Sequence, residues 1–290
     1  MSIAGGVDLA IPRGQSVGCE VIQIFTKSSN QWAARALADD EVQRFRAAQK
    51  DGAPKVVAGH TSYLINLGSP DETLHRRSLD AFVVEMQRAE RLGLRHLIFH
   101  PGAHTGSGEE AGLLRIAQAL DEAQARTPGF KLVVLLENAA GQGSTLGGKF
   151  EHLAEILSRV SDSKRLGVCL DTCHAHAAGY DLRTHEGYEA VMESLDRTVG
   201  LPRVRAFHLN DCLKGVGSKL DRHWHIGKGM LGLEPFRLLM NDSRFDGLPG
   251  FLETPKDEEC AEDRINLAVL RSLVGDPARK AVPTQIQEVL

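Results

Sequence analysis

The sequence predicts an α/β fold of repeated β/α units around a parallel sheet. Seven short apolar runs recur along the 290 residues, and helix-period segments lie between them. That alternation alone leaves a doubly wound sheet and a closed (β/α)8 barrel both open. The third observation favours the barrel: six of the seven runs end on a histidine or a carboxylate.

Taken in order, the chain opens MSIAGGVDLAIPRGQSVG, a Gly-rich turn followed by a short amphipathic stretch. The turn at Gly5 and Gly6 reads as the exit of a first strand whose body is cut short at the N-terminus. The apolar runs are Val21–Phe25, Val56–Gly59, Leu97–Phe99, Leu132–Leu136, Leu166–Leu170, Val204–Phe207 and Gly250–Leu252. Seven strands are countable, and an eighth would complete the barrel. Leu79, Phe82, Val83 and Met86 share one helical face, as do Phe150, Leu153, Ile156, Leu157 and Val160. Tyr188, Val191, Met192 and Leu195 repeat the spacing, and Ile265, Ala268, Val269 and Leu273 suggest a last helix. The tail after Ala281 carries no clear signal. With no linker in the sequence, residues 1–290 are expected to form one domain.

Composition narrows the function classes. The chain is 42% hydrophobic and 25% charged with a formal charge of −4, unlike a protein that coats nucleic acid through general basicity. Bound cations can still invert the sign of a local site. Five cysteines, odd in number and without a CxxC pair, read as buried thiols in a reducing cytosol. The sequence has neither a charged leader with an apolar core nor a long apolar run, so a cytoplasmic protein without a membrane span is expected.

The run ends carry the chemistry. They terminate in His60, His100, Glu137, Asp171, His208 and Glu253, at intervals of 40, 37, 34, 37 and 45 residues, about one β/α unit each. In a parallel barrel the carboxyl ends of all strands meet at one face. Any one of these histidines alone reads as a core or capping residue, but six on one ring read as a site. His174 follows Asp171 by one helical step, and Asp221 and His223 sit in an Asp-x-His segment after the His208 strand. Nine candidates, five histidines and four carboxylates, exceed what one ion needs and suit two or three. The mixed imidazole and carboxylate donors favour Zn²⁺ or Mn²⁺. Three divalent ions against four carboxylates would leave a charge of about +2, or about +1 with a hydroxide, which suits a phosphodiester anion.

The motifs GHTSYLINLG (Gly59–Gly68), FHPGAH (Phe99–His104), LENAAGQGS (Leu136–Ser144) and CLDTCHAHAAGYDLR (Cys169–Arg183) then stand in order with HLNDC (His208–Cys212), DRHWHIGKG (Asp221–Gly229) and FLET (Phe251–Thr254). Together they resemble bacterial endonuclease IV, the metal-dependent apurinic/apyrimidinic-site endonuclease of base-excision repair, from Ala4 to about Glu253. The resemblance implies a (β/α)8 TIM barrel with three metal ions, usually zinc and sometimes manganese. His60, His100 and Glu137 would hold the first ion, and Glu137, Asp171, His208 and Glu253 the second. His174, Asp221 and His223 would hold the third. Glu137 would be the bridging ligand that also orients the attacking water.

The implied reaction is hydrolysis of the phosphodiester 5′ to an abasic site in duplex DNA, leaving a 3′-hydroxyl and a 5′-deoxyribose phosphate, with repair of blocked 3′ ends as a companion activity. Tyr63 and Leu64 would fill the gap left by the extruded abasic nucleotide, and Arg222 and Lys228 would contact phosphate. A monomer is implied.

The chain departs from the family at its first strand, reduced here to Met1-Ser2-Ile3-Ala4. It departs again at Asn30, where some relatives place an arginine as a minor-groove insert. His176, His225 and Cys173 read as hydrogen-bonding neighbours of the ligands. Two rivals remain. A sugar isomerase or epimerase would use the same strand ends for one or two ions but needs neither the third ligand set nor Tyr63-Leu64. A damaged-DNA-binding protein without chemistry would not need nine ligands.

Overall fold

All seven apolar runs are strands in the computed structural model, which describes every residue except 51, 53, 258 and 276–290. They are β1 (Val21–Phe25), β2 (Val56–His60), β3 (His96–Phe99), β4 (Val133–Glu137), β5 (Leu166–Asp171), β6 (Val204–His208) and β7 (Gly250–Phe251). Every pairing in this sheet is parallel, and the strands are ordered as in the sequence. β7 returns beside β1, so the sheet curls into a barrel of seven strands among the described residues. The residues before the Gly5-Gly6 turn form no strand. The Met1 ammonium instead donates to the Gln23 carbonyl oxygen at 2.5 Å, along the edge of β1 that faces β7. The tail after Ala281 lies outside the described residues.

Nine α-helices lie among the described residues: α1 (Ala10–Val17), α2 (Asp39–Lys50), α3 (Glu72–Leu92), α4 (Glu109–Ala125), α5 (Phe150–Arg159), α6 (Thr172–Ala178), α7 (His185–Thr198), α8 (Glu234–Met240) and α9 (Ala261–Ser272). Helix α3 illustrates why they form. Its apolar face buries Leu79, Phe82, Val83, Met86, Ala89 and Leu92, and each large side chain so buried contributes about 1.5–3 kcal/mol. Asp71 caps it by accepting from the Leu74 amide at 2.7 Å, a contact worth about 1 kcal/mol. Gly93, at φ 75°, ends it in the left-handed conformation that a glycine adopts without strain. None of the described helices is long and apolar enough to cross a membrane.

Two antiparallel ribbons shape the loops at the carboxyl ends of the strands. Gly102–Ala103 pairs with Thr145–Leu146, and Asp211–Cys212 pairs with His223–Trp224. The second ribbon folds back the loop after β6. Buried Asp211 fastens it by accepting from the amides of Gly229 and Leu231, each at 2.9 Å. A Cβ at position 229 would lie 2.4 Å from the Asp211 carboxylate, so the approach requires glycine there.

Candidate metal centre

The barrel interior is a thin apolar layer. Ala58, Ile98, Leu135, Cys169, Ala206 and Phe251 form a buried cluster of their own, separate from the larger core between strands and helices. His60, His100, Glu137, Asp171, His208 and Glu253 each stand two residues further along. Side chains two apart on extended backbone share a face. The six therefore form the next layer up, at the carboxyl mouth of the barrel.

Their donor atoms converge. His60 Nε2 lies 3.1 Å and His100 Nε2 3.7 Å from Glu137 Oε2. His208 Nδ1 lies 2.8 Å from Glu137 Oε1, 3.3 Å from Glu253 Oε2 and 3.8 Å from Asp171 Oδ2. His60, His100 and Glu137 make one group with metal-site spacing, and Glu137, Asp171, His208 and Glu253 make another. Glu137 belongs to both, as the resemblance implies.

The third expected set also meets. His174 Nε2 is 3.2 Å from Asp221 Oδ2, and His223 Nε2 is 3.3 Å from Asp221 Oδ1 and 3.3 Å from His174 Nε2. The structure adds two neighbours that the sequence reading placed elsewhere. Asp171 joins His174 and His223 in one spaced group, and the Cys173 thiol joins Asp221 and His223 in another.

Local structure fixes which atoms face inward. The His60 Nδ1–H donates to the Thr61 carbonyl oxygen at 2.8 Å, leaving Nε2 for the cluster. His174 Nδ1–H donates to the Asn138 carbonyl oxygen at 2.9 Å, again leaving Nε2. Asp171 caps α6, its Oδ1 accepting from the His174 amide at 2.7 Å. A capping role and a place in the cluster are therefore compatible, because Oδ2 remains. Asn210 donates to that Oδ2 at 2.7 Å and accepts from the Glu253 amide at 2.8 Å. Asn138 accepts from the Asp171 amide at 2.7 Å. The sequence reading quoted both asparagines inside motifs without giving them this work; a polar residue directly after a strand-end ligand, or two beyond one, was the available signal.

The cluster demands positive charge. Burial opposes ionisation of Glu137, yet His100, His208 and His174 hold its carboxyl well below the usual range. Burial also opposes protonation of His174, but Asp171, Asp221 and Glu137 raise its proton affinity well above the ordinary value. Asp221 is brought down to about 2, burial being outweighed by its hydrogen bond to His174. Among the described ion pairs, only histidines reach Glu137, Asp171, Asp221 and Glu253; no lysine or arginine does. Two buried carboxylates, Glu137 and Asp171, grouped with Glu253 and Asp221 and reached by histidines but by no lysine or arginine, fit divalent metal ions.

Around the mouth, Tyr63 is 61% exposed, its ring 5.4 Å edge-on from Phe25 and 6.0 Å from His60, so it rises beside the cluster rather than sinking into the core. Leu64 is half-buried, and Arg222 and Asn30 are exposed. Lys228 is half-buried in the loop after the second ribbon. His225 contacts Asn266, which donates to Thr254 next to Glu253; His176 is buried in α6.

Comparison with known proteins agrees with this geometry. Residues 12–273 match the family model of xylose isomerase-like TIM barrels. A probable endonuclease 4 from Chloroflexus aurantiacus is 51% identical over 274 residues, spanning 94% of this chain and 96% of that protein. Its counterpart from Geobacter sulfurreducens is 49% identical over 94% of this chain and 93% of its own length. The crystal structure of endonuclease IV from Thermus thermophilus superimposes with a TM-score of 0.84 at 36% identity, covering 94% of this chain and 97% of that one. A TIM barrel whose carboxyl mouth gathers nine histidines and carboxylates, with this likeness along nearly its whole length, belongs to the endonuclease IV family.

Proposed function

We propose that the chain is a metal-dependent endonuclease of base-excision DNA repair that cleaves the phosphodiester 5′ to an abasic site in duplex DNA. It acts as one domain and as a monomer, in the cytoplasm, and leaves a 3′-hydroxyl and a 5′-deoxyribose phosphate. Blocked 3′ ends are a second substrate class. The convergence of His60, His100, Glu137, Asp171, His174, His208, Asp221, His223 and Glu253 on one barrel mouth carries the reading.

In this reading His60, His100 and Glu137 hold a first ion, Glu137, Asp171, His208 and Glu253 a second, and His174, Asp221 and His223 a third. The donor set suits Zn²⁺, with Mn²⁺ accepted in one or more sites. Such ions supply Lewis acidity at the phosphate and lower the pKa of a coordinated water. The chain's own residues do the rest. Glu137, fully buried and reached by four histidines, would orient the attacking water. Tyr63 and Leu64 take the space of the extruded abasic nucleotide, which costs little to unstack. Arg222 and Lys228 draw the flanking phosphates toward the mouth. A sugar isomerase on the same barrel has no use for the His174–Asp221–His223 group or for an exposed tyrosine beside His60.

The test is elemental analysis of the purified protein together with incision of a duplex that carries one abasic analogue. Three metal equivalents and a 3′-hydroxyl product are expected, with activity abolished by a chelator and restored by Zn²⁺. Fewer than two equivalents, or a product lacking the 3′-hydroxyl, would refute the reading.

A further inference from the structure

Strand β1 is the one barrel strand that gives the metal centre no ligand, yet a polar side chain leaves it for the interior. Ile22 and Ile24 are buried toward the helices, which turns Val21, Gln23 and Phe25 the other way. The Gln23 amide lies between two of the proposed second-site ligands. Its Nε2 donates to Glu253 Oε1 at 2.6 Å, and its Oε1 accepts from His208 Nε2 at 2.7 Å.

The chemistry of the three groups fixes their orientation in sequence. A carboxylate oxygen only accepts, so the amide NH₂ of Gln23 must face Glu253. The amide oxygen is then left facing His208, and it too only accepts. His208 must therefore keep a proton on Nε2, so that Nδ1, whose own proton meets the Glu137 carboxylate at 2.8 Å in this structure, is the nitrogen that would give up its proton and offer a lone pair to a metal ion. Nδ1 is the nitrogen that looks into the cluster, 2.8 Å from Glu137 and 3.3 Å from Glu253 Oε2. Glu253 is divided in the same way: Oε1 is taken by Gln23, and Oε2 points at His208 and at His223.

We propose that Gln23 is a positioning residue for the second metal site: one amide selects the Nδ1-ligating tautomer of His208 and holds Glu253 with its free oxygen inward. This rests on His208 and Glu253 being ligands of that site. Outer hydrogen bonds of this kind are worth about 10–100-fold in metal affinity.

The test is a chelator-competition titration of the metal-stripped protein with Zn²⁺, on wild type, Gln23→Met and His208→Ala. Met matches Gln in length but has no donor and only a weak thioether acceptor. Gln23→Met is expected to lose one equivalent at a chelator concentration about 10–100-fold below that needed for wild type, with the other two equivalents unmoved. In the zinc-loaded wild type the His208 Nε2 proton should appear in nitrogen-15-edited NMR as a slowly exchanging imidazole proton, and it should vanish in Gln23→Met.

If Gln23→Met does not fold, Gln23→Glu replaces it. That variant keeps an acceptor for His208 but sets a second carboxylate against Glu253, so the same equivalent should weaken, whereas a space-filling role predicts wild-type affinity. Wild-type affinity in the folded Gln23 variant, with one equivalent lost in His208→Ala, overturns the role of Gln23 alone. Three equivalents retained in His208→Ala overturn the ligand assignment itself, and the role of Gln23 with it.

Discussion

Strand β3 begins at His96 and delivers His100 just past its other end, and only the second is among the proposed metal ligands. His96 is 5% exposed, and its Nδ1 finds no hydrogen-bond partner. Burial, with help from Arg95 and Arg205, pushes its pKa from 6.5 down to about 4. Above pH 6.5 the ring is neutral in both folded and unfolded chains and contributes nothing to pH dependence. As the pH falls below 6.5 the unfolded chain takes the proton first, so stability falls until the folded chain can take it too, near pH 4. A depression of about 2.5 units at about 1.36 kcal/mol each amounts to about 3 kcal/mol across that window. His96→Leu should abolish this component. Denaturant unfolding of wild type and variant, both with chelator so that metal loss cannot contribute, should show their stability difference shifting by about 3 kcal/mol in favour of the variant between pH 7.5 and pH 4. A difference that stays constant over that range would refute the reasoning.

Two other perturbations have defined outcomes. Glu85 is fully buried on α3, accepts from the Ser62 amide at 3.0 Å and lies 3.6 Å from the buried Lys27 ammonium; Glu85→Ala should cost about 3–5 kcal/mol in denaturant unfolding because it leaves that ammonium the Ser28 and Gln31 carbonyl oxygens but no counter-charge, and a loss under about 1 kcal/mol would contradict the pairing. Tyr63→Ala removes an exposed ring that borders His60 but offers no ligand atom itself; metal content should stay at the wild-type level while kcat/KM on abasic duplex falls at least about tenfold, or about 1.4 kcal/mol of transition-state stabilisation, and unchanged kcat/KM would remove Tyr63 from the proposed DNA contacts.

The strands and the histidines and carboxylates at their ends were legible because both follow short-range rules. A strand buried on both faces is an apolar run, and a ligand at its carboxyl end is the first polar residue after that run. Helices α2 and α4 were not singled out. Only Glu41 and Phe45 of α2 are buried, and α4 presents Gly112, Ala117, Ala119 and Ala123 among its buried positions, so neither writes a strong apolar stripe. The residues that aim the ligands were hidden for another reason. Gln23 meets His208 across 185 positions and Glu253 across 230, and Asn210 meets Glu253 across 43. No local pattern encodes such pairs; they exist only once the barrel has set β7 beside β6 and brought β1 round to β7. The N-terminal residues differ in the same way, since the edge of β1 that faces β7 is met by the Met1 ammonium rather than by a further strand.

Asp171 makes clear why a barrel mouth suits a cluster of ions better than a single loop would. Its backbone ends β5, and its Oδ1 is committed to the amide that starts α6. Oδ2 is left 3.8 Å from His208 Nδ1 on one side and 3.5 Å from His223 Nε2 on the other. The same short turn carries His174 one helical step on, toward Asp221. One strand-to-helix junction therefore touches both the group shared with Glu137 and the group in the folded-back loop. Because the junction is rigid at both ends, a strand behind it and a helix ahead, the spacing between those groups is set by backbone rather than by side-chain choice. The proposed catalysis by several ions would need that spacing held during the reaction, and the covalent short cut from Asp171 to His174 would supply it.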